Sequence, residues 1–401
     1  MRSPLAGLRV LDFTQWIAGP YCTKLLADYG ATVIKVEPPW GDPCRRLGPF
    51  PNDEPGQEAS GLFAFLNTSK LGITLDLKSA FARRAAVSFV TEVDVVVESF
   101  RPGVVDRLGL SYSQLREINP GLVMTSISNF GQTGPYRDWK ASEITLYAMG
   151  GAMHATGEPD RPPVKLAGSI MQFHGGNVAC TATLGAVMEA KLQGTGQHVD
   201  VSLFETQAGN IDRRSPFLVG YAYHGEVASR EPAASGSFPN GIYPCKDGYF
   251  HITGGVQFFD RVCVMMGMPA LAEDPRFRGP SALTDQHRRE EFEAIFVPWL
   301  LERTRAEATE AGQRAKVPCA PVAAPSDVMK DDHLRARDAF VSGEQETHGQ
   351  IKAPGPPFRF SSGAWQARSA PTLGQHNAEV YNDWLQLSPG ELEQAKALGY
   401  L

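Results

Sequence analysis

Residues 8–36, LRVLDFTQWIAGPYCTKLLADYGATVIKV, decide the fold class of this chain. Residues 8–13 form an apolar run typical of a β-strand, and 32–36 form a second one. Between them, 20–29 have the pattern of a helix that ends at Gly30. A strand, a helix and a second strand in this order predict two parallel strands joined by a right-handed crossover.

The same alternation continues through the N-terminal part of the chain. It predicts strands at 72–77, 94–98 and 122–128 and helices at 80–91 and 112–118. We therefore expect an α/β fold with a doubly wound, Rossmann-like sheet. The first turn, TQWIAGP, lacks the G-x-G-x-x-G fingerprint, so NAD binding is not supported. In open sheets of this kind, ligands bind beyond the carboxyl ends of the strands, and we expect the ligand crevice there.

The composition places limits on the function. The chain has 401 residues, more than one core usually holds, so we expect two domains. A net charge of -6 gives no basic footprint for nucleic acid. The six cysteines are scattered without C-x-x-C spacing, which disfavours a metal site and a disulfide framework. Because neither a signal peptide nor a long apolar span is present, we expect a cytoplasmic protein with no membrane association.

The character of the sequence changes after about Asn210. The following residues are irregular and rich in Gly, Pro and Ser, which predicts a linker into a smaller domain. There we expect a strand at 249–253 and helices near 257–266 and 286–312, and beyond them a helical stretch and a Pro-rich tail with little periodicity.

Residues 165–206, KLAGSIMQFHGGNVACTATLGAVMEAKLQGTGQHVDVSLFET, form the best-defined functional segment. It begins as a short extended run, tightens at Gly175 and Gly176, and continues as a long apolar helix that ends at the turn GTG. Gln172 is therefore predicted to lie in the loop before a buried helix, where functional side chains often project.

Several motifs along the chain resemble the family III CoA-transferases, which include formyl-CoA transferase, carnitine CoA-transferase and α-methylacyl-CoA racemase. They are VLDFTQWIAGPYCTKLLADYGATVIKVEPPWGDP, LNTSKLGITLDL, VVVESFRPGVVDRLGL, GQTGPYRDW, GTGQHVDVSLFE, VPCAPV and PTLGQHNAEV. The resemblance runs in the right order over nearly the whole chain, so it identifies the family with high specificity.

The resemblance implies an architecture. A Rossmann-like large domain is built from both chain ends, a smaller domain lies between them, and two ring-like chains interlock as a dimer. Applied to this sequence, it predicts a large domain formed by 1–215 and 326–401, with the linker and small domain at 216–325. The Pro-rich tail would then return to the large domain.

The resemblance also implies coenzyme A or acyl-CoA as substrate, a carboxylic acid as the other reactant and no metal. The pantetheine arm would lie along the first turn and reach toward position 172, while an aromatic face and cations would meet the nucleotide. Ser99 stands where a relative carries Asn. The CoA-contacting positions that match are Gln15, Trp16, Ile17, Ala18, Arg45, Ser99, Phe100, Arg107 and Lys140.

In the family, an Asp carboxylate attacks the donor thioester to give a mixed anhydride and CoA thiolate. CoA then forms an enzyme thioester, which the acceptor carboxylate resolves. Counting back from Gly196 and Gln197, that Asp position falls on Gln172. A neutral amide is not an acyl-carrying nucleophile, although it can donate a hydrogen bond to a carbonyl or carboxylate.

Two further departures agree with this loss. Racemase relatives use a His–Asp pair, and the matching positions here are Ser142 and Gln172, which leaves no acid–base pair. The family's mobile glycine-rich loop is reduced to 234–241, ASGSFPNG, in which Phe238 and Pro239 would stiffen the backbone.

These residues lead to three hypotheses about function. In the first, the chain is one subunit of a heteromeric transferase of the benzylsuccinate type, and a homologous subunit supplies the Asp. In the second, a homodimeric transferase or acyl-CoA isomerase uses another residue, for which Glu143 is the nearest candidate carboxylate. In the third, the chain is a non-catalytic CoA-binding protein.

Overall fold

The computed structural model describes residues 3–209, 214–227, 229–230, 236–345, 349–361, 365 and 368–401. The chain divides into two compact units. Unit 1 comprises Met1–Thr156, Val164–Ala228 and Asp338–Leu401, and unit 2 comprises Gly157–Pro163 and Ser229–Arg337. The central domain that we expected at 216–325 overlaps unit 2 but begins and ends at other residues.

Unit 1 contains a six-stranded parallel sheet. Its strand order is β3-β2-β1-β4-β5-β6, which is the order of the Rossmann fold. The predicted parallel α/β sheet is therefore confirmed. The strands are β1 (Arg9–Phe13), β2 (Thr32–Glu37), β3 (Leu71–Thr74), β4 (Val95–Glu98), β5 (Val123–Ser128) and β6 (His198–Ser202).

Both faces of this sheet are buried, because neighbouring residues on a strand contribute to different apolar clusters. Val10 and Val95 belong to one cluster, whereas Leu11 and Val96 belong to the other. A parallel sheet covered on both faces needs nearly continuous apolar strands. This explains why runs such as RVLDF and VVVE lack a polar alternation.

Five helices in the N-terminal and middle segments of unit 1 were not predicted from the sequence: Gly61–Leu66, Val104–Leu108, Glu143–Met149, Leu203–Gly209 and Arg214–His224. The linker expected after Asn210 is wrong for 214–224, which are helical. Pro216 is tolerated because it lies in the first turn, where its missing N–H costs no intrahelical hydrogen bond. The other parts of that linker at 210–213, 228 and 231–235 lie outside the described residues. The helices are α1 (Ala18–Asp28), α2 (Gly61–Leu66), α3 (Ala80–Val90), α4 (Val104–Leu108), α5 (Tyr112–Ile118), α6 (Glu143–Met149), α7 (Ile170–Gln193), α8 (Leu203–Gly209) and α9 (Arg214–His224).

Unit 2 has its own three-stranded antiparallel sheet and aromatic core. The single helix expected at 286–312 is wrong, because a capping box between Thr304 and Glu307 starts a new helix there. In the loop expected at 234–241, Ala234 and Ser235 lie outside the described residues and Phe238 is buried in the core. The elements are β7 (Asn240–Cys245), β8 (Gly248–Thr253), α10 (Gly255–Met265), α11 (Gln286–Leu301), α12 (Arg305–Arg314), β9 (Cys319–Pro321), α13 (Pro325–Val328) and α14 (Asp332–Ala336).

The last segment of the chain belongs to unit 1 and packs against β3. The Tyr381 hydroxyl donates a hydrogen bond to the Thr74 carbonyl at 2.8 Å, and the Gly72 N–H donates to His376 Nδ1 at 3.0 Å. Elements that the sequence did not predict lie here: β10 (Phe340–Gln345), β11 (Gly349–Pro354), α15 (Asn377–Leu385) and α16 (Pro389–Ala397). Short 3₁₀ segments elsewhere are Pro43–Arg46, Pro51–Asp53, Pro269–Glu273, Pro275–Phe277 and Ala282–Thr284.

The pair Gly175–Gly176 is part of α7 and does not form the turn that we expected. A Cβ on Gly176 would lie 2.6 Å from the Ala18 carbonyl oxygen, and one on Gly175 would lie 2.2 Å from a methyl group of Leu203. The glycines are therefore used for close approach rather than for turning. This contact lets α1 and α7 cross tightly and fixes the start of both helices relative to each other.

No helix within the described residues is both long and apolar enough to cross a membrane.

Gly176→Ala should test the tight crossing of α1 and α7. The added methyl group would overlap the Ala18 carbonyl, so we expect the free energy of unfolding in urea to fall by about 1–3 kcal/mol. Gly185→Ala on the same helix is the matched control, since a Cβ there meets nothing within 4 Å. It should be neutral or stabilise by up to about 1 kcal/mol. Equal effects of the two substitutions would contradict the crossing.

Candidate functional site

A cavity of about 910 Å³ opens at the carboxyl ends of the strands in unit 1. The loop after β1 supplies Gln15 to Gly19, and the loop after β4 supplies Ser99 to Pro102. β1 and β4 are neighbours in the sheet, and the strand order reverses between them. Ligands of doubly wound sheets bind at such a switch point, so the topology itself places the site.

The cavity brings together ten of the eleven residues expected from the sequence. They are Gln15, Trp16, Ile17, Ala18, Ser99, Phe100, Arg107, Lys140, Glu143 and Gln172. Arg101 and Arg137 also line the cavity, although the sequence did not predict them there. Arg101 could have been predicted from the sequence, because it lies in the loop that directly follows the carboxyl end of β4.

Arg45 is the exception, because it does not line this cavity, and its expected contact with phosphate stays a prediction. Its side chain is buried, and the guanidinium donates to both carboxylate oxygens of Glu37 at 2.8 and 2.7 Å and to Glu58 at 2.6 Å. It also packs over the Phe63 ring at 3.7 Å. A fourth hydrogen bond runs to the Pro371 carbonyl at 3.1 Å, so four of the five guanidinium N–H groups are bonded within the protein.

The first turn is fixed by hydrogen bonds from two directions. The Gln15 N–H donates to Ser99 Oγ at 3.0 Å, which ties the loop after β1 to the loop after β4. The Trp16 N–H donates to Asp42 Oδ1 at 3.3 Å. These bonds hold the turn in an arrangement in which Trp16, Ile17 and Ala18 line the cavity.

A buried network of charges lies beneath this turn. Asp12 accepts hydrogen bonds from Lys70 at 3.0 Å, from Thr23 at 2.6 Å and from Thr14 at 2.5 Å. Burial opposes ionisation of Asp12, but Lys70, Lys35 and the two hydroxyls outweigh it, so its pKa is lowered. Burial lowers the pKa of Lys70 to about 8, and the Asp12 charge offsets this only in part.

Four cations lie along the cavity wall: Arg101, Arg107, Arg137 and Lys140. The guanidinium groups of Arg107 and Arg137 converge on Gly103, lying 3.6 and 3.1 Å from the place where a Cβ would sit there. Within the ranges that the structure describes, none of the four forms an ion pair with a protein carboxylate. Unpaired cations on a cavity wall make a site for an anion such as phosphate.

Gln172 lies in the first turn of α7 and not in the loop before it, as we had expected. Glu143 explains the difference, because its two carboxylate oxygens accept hydrogen bonds from the N–H groups of Met171 at 3.0 Å and Gln172 at 3.3 Å. Ser169, the residue at the N-cap position, makes no side-chain capping bond. A carboxylate from α6 therefore satisfies the first N–H groups of α7.

Glu98 anchors the loop after β4. It accepts a hydrogen bond from the Phe100 N–H at 2.7 Å, and Ser126, its other hydrogen-bond partner, lies 2.8 Å from His198 Nε2. Burial raises the pKa of Glu98 to about 7, against the lowering effect of its hydrogen bonds from Ser126 and the Phe100 N–H. The negative charges of Asp200 and Asp106 raise it further.

Comparison with known proteins assigns the family. The family model described as CoA-transferase family III matches residues 5–377. The chain belongs to this family. The resemblance seen in the sequence is confirmed, and CoA thioesters are accordingly the substrates to consider for the cavity. Within the described residues, no three His, Cys, Asp or Glu side chains form a group that could hold a metal ion.

Individual members are similar over almost their whole length. A succinyl-CoA–D-citramalate CoA-transferase of Chloroflexus aurantiacus is 34% identical over 98% of this chain and 97% of that protein. Subunit BbsE of the succinyl-CoA:(R)-benzylsuccinate CoA-transferase of Thauera aromatica is 31% identical over 95% of this chain and 94% of its own length. The crystal structure of a CAIB/BAIF family protein from Brucella suis superposes with a TM-score of 0.85 and 31% identity, covering 96% of this chain and 100% of that one.

Glu98→Gln should change how stability depends on pH. Because folding raises the carboxyl pKa from 4.5 to about 7, the native state holds a proton that the unfolded state has lost, and stability falls as the pH rises through this window. The variant is neutral throughout, so at pH 8 it should gain up to about 3 kcal/mol over the native protein relative to pH 4. Urea unfolding at several pH values measures this. Parallel pH profiles for the two proteins would refute the assignment.

Proposed function

We propose that this chain is one subunit of a heteromeric family III CoA-transferase. It binds CoA and an acyl group, and a homologous partner subunit supplies the nucleophilic Asp. The observation that carries the proposal is Gln172, a neutral amide in the first turn of α7 on the wall of the cavity. The transfer reaction needs a carboxylate at this position, because an amide oxygen does not form and release an acyl anhydride.

The cavity suits a CoA thioester from end to end. The cations Arg101, Arg107, Arg137 and Lys140 would bind the phosphates, and Phe100 offers an aromatic face to the nucleotide. The backbone of the turn from Gln15 to Ala18 would line the pantetheine arm on its way toward position 172. Gln172 would donate its amide N–H to the thioester carbonyl or to an acceptor carboxylate.

Glu143 is less suited to replace the missing nucleophile than the sequence suggested. Both of its oxygens accept backbone hydrogen bonds from α7, and Lys165 Nζ lies 3.5 Å from one of them. An attack by this carboxylate would break the capping bonds at the start of the helix. Its geometry favours a positioning role for the turn that carries Gln172.

Two observations support an assembly with another chain. A similar protein is named as a subunit of a CoA-transferase. In addition, large apolar side chains are exposed along α7 and α9, among them Met188, Leu192, Leu218 and Tyr221, and an interlocked partner would cover them.

The six cysteines are free thiols, which suits the cytoplasm as the site of action.

The test compares this chain alone, the same chain co-expressed with an Asp-bearing family III chain from the same genome, and two variants at position 172. Co-purification and CoA transfer by the pair, with no transfer by the single chain, are expected. A homodimer that transfers CoA alone would overturn the proposal.

Gln172→Asp should add acyl-CoA hydrolysis or slow transfer to the single chain, whereas Gln172→Asn, the neutral isostere of Asp, should stay inert. Equal activity of the two variants would contradict the role of the charge.

Arg107→Ala and Arg45→Ala should separate binding from stability. Loss of one charged phosphate contact at Arg107 should weaken CoA binding about 10- to 100-fold in calorimetry, with little change in melting temperature. Loss of Arg45 leaves Glu37 buried without its partner and should cost about 3–5 kcal/mol of folding free energy. If Arg45→Ala instead weakened CoA binding in a protein of unchanged stability, our placement of the phosphates would be wrong.

A further inference from the structure

Trp16 has a backbone conformation that bulky residues rarely adopt. Its φ angle is 67°, in the left-handed region that normally favours glycine. This backbone angle alone would favour glycine, so it does not explain the presence of tryptophan. A strained residue of this kind at a ligand site points to a function for its side chain.

Buried groups hold the backbone at and just before Trp16. Asp42 accepts the Trp16 N–H through one carboxylate oxygen and Lys35 Nζ, at 2.9 Å, through the other. The same Lys35 ammonium donates to the Thr14 carbonyl at 3.0 Å. Asp42 and Lys35 are both buried, so this pair fixes the turn from the protein interior and leaves the indole free to face the cavity.

The indole is more exposed than its apolar character favours. It is 52% accessible and lines the cavity together with Ile17 and Leu47. Ile17 and Leu47 pack in one apolar cluster with Phe173, the neighbour of Gln172. Trp16, Ile17 and Leu47 therefore place apolar side chains in the same cavity as Gln172.

We propose that Trp16 determines substrate specificity. Resting on the proposed function above, the inference is that Trp16, Ile17 and Leu47 pack against the acyl part of the thioester. The substrate class is then a CoA thioester with a sizeable apolar acyl group, an aromatic ring or a branched hydrocarbon, rather than a small polar acid. Covering a half-exposed indole with such a group is favourable, and the acyl group of acetyl-CoA is too small to do so.

Calorimetry with free CoA, acetyl-CoA and phenylacetyl-CoA tests the inference on the co-expressed assembly. Trp16→Gly removes the indole side chain, and glycine adopts this backbone angle without strain, so the melting temperature should stay the same or rise. Its dissociation constant for phenylacetyl-CoA should increase about tenfold or more, while that for free CoA changes less than about threefold. Trp16→Asn, which also tolerates this backbone, should repeat the loss if the glycine variant does not fold.

The matched controls are Trp16→Phe, which keeps an aromatic wall, and Trp40→Ala, which removes a 55% exposed indole outside the cavity. Trp40→Ala should bind phenylacetyl-CoA nearly as the native protein does, and Trp16→Phe should keep most of the affinity that Trp16→Gly loses. Equal weakening for CoA and phenylacetyl-CoA would place Trp16 on the coenzyme and overturn the inference, as would unchanged affinities. If the native assembly bound none of the three ligands, the proposed function itself would fail, a result distinct from either.

Discussion

The pairing of buried charges beneath the first turn is the constraint on which this site depends. Asp12 with Lys70 and Asp42 with Lys35 form two ion pairs whose side chains are completely shielded from solvent. Buried ions are costly unless geometry and hydrogen bonds compensate them, and here Thr14, Thr23 and Asn67 complete the network. Its function is positional. It fixes residues 14–18 between β1 and α1, so that the turn presents its side chains and the start of a helix to a ligand.

The opposite wall of the cavity is fixed by different means. Gly176 lets α7 approach α1 closely, and Glu143 satisfies the first N–H groups of α7. Together they fix the start of α7, which carries Gln172 on the cavity wall. In the function that we propose, the chemistry of this one side chain separates the chain from an acyl carrier. A neutral amide there allows binding and orientation of a thioester but no covalent step.

The parallel sheet could be predicted because residues 8–36 show the apolar pattern of a strand, then a turn and the pattern of a helix, and then the pattern of a second strand. Most residues of the cavity followed from the motif matches. The positions of Arg45 and Gln172 could not be predicted, because each depends on a distant partner. Glu37 and Glu58 bind Arg45 inside unit 1, and Glu143 extends α7 back to include Gln172. Gly175 and Gly176 were read as a turn, although their lack of a side chain serves packing. α15 was missed because its apolar residues face β3 and α3 from a short, Pro-flanked segment.

Intact-protein mass spectrometry after incubation with an acyl-CoA tests the central claim most directly. The single chain and the co-expressed assembly would each be quenched during turnover and their masses compared with those of untreated protein. We expect no covalent acyl or CoA adduct on this chain in either sample, and an adduct on the Asp-bearing partner in the assembly. An adduct on this chain alone, at Glu143 or any other residue, accompanied by transfer without a partner, would contradict it.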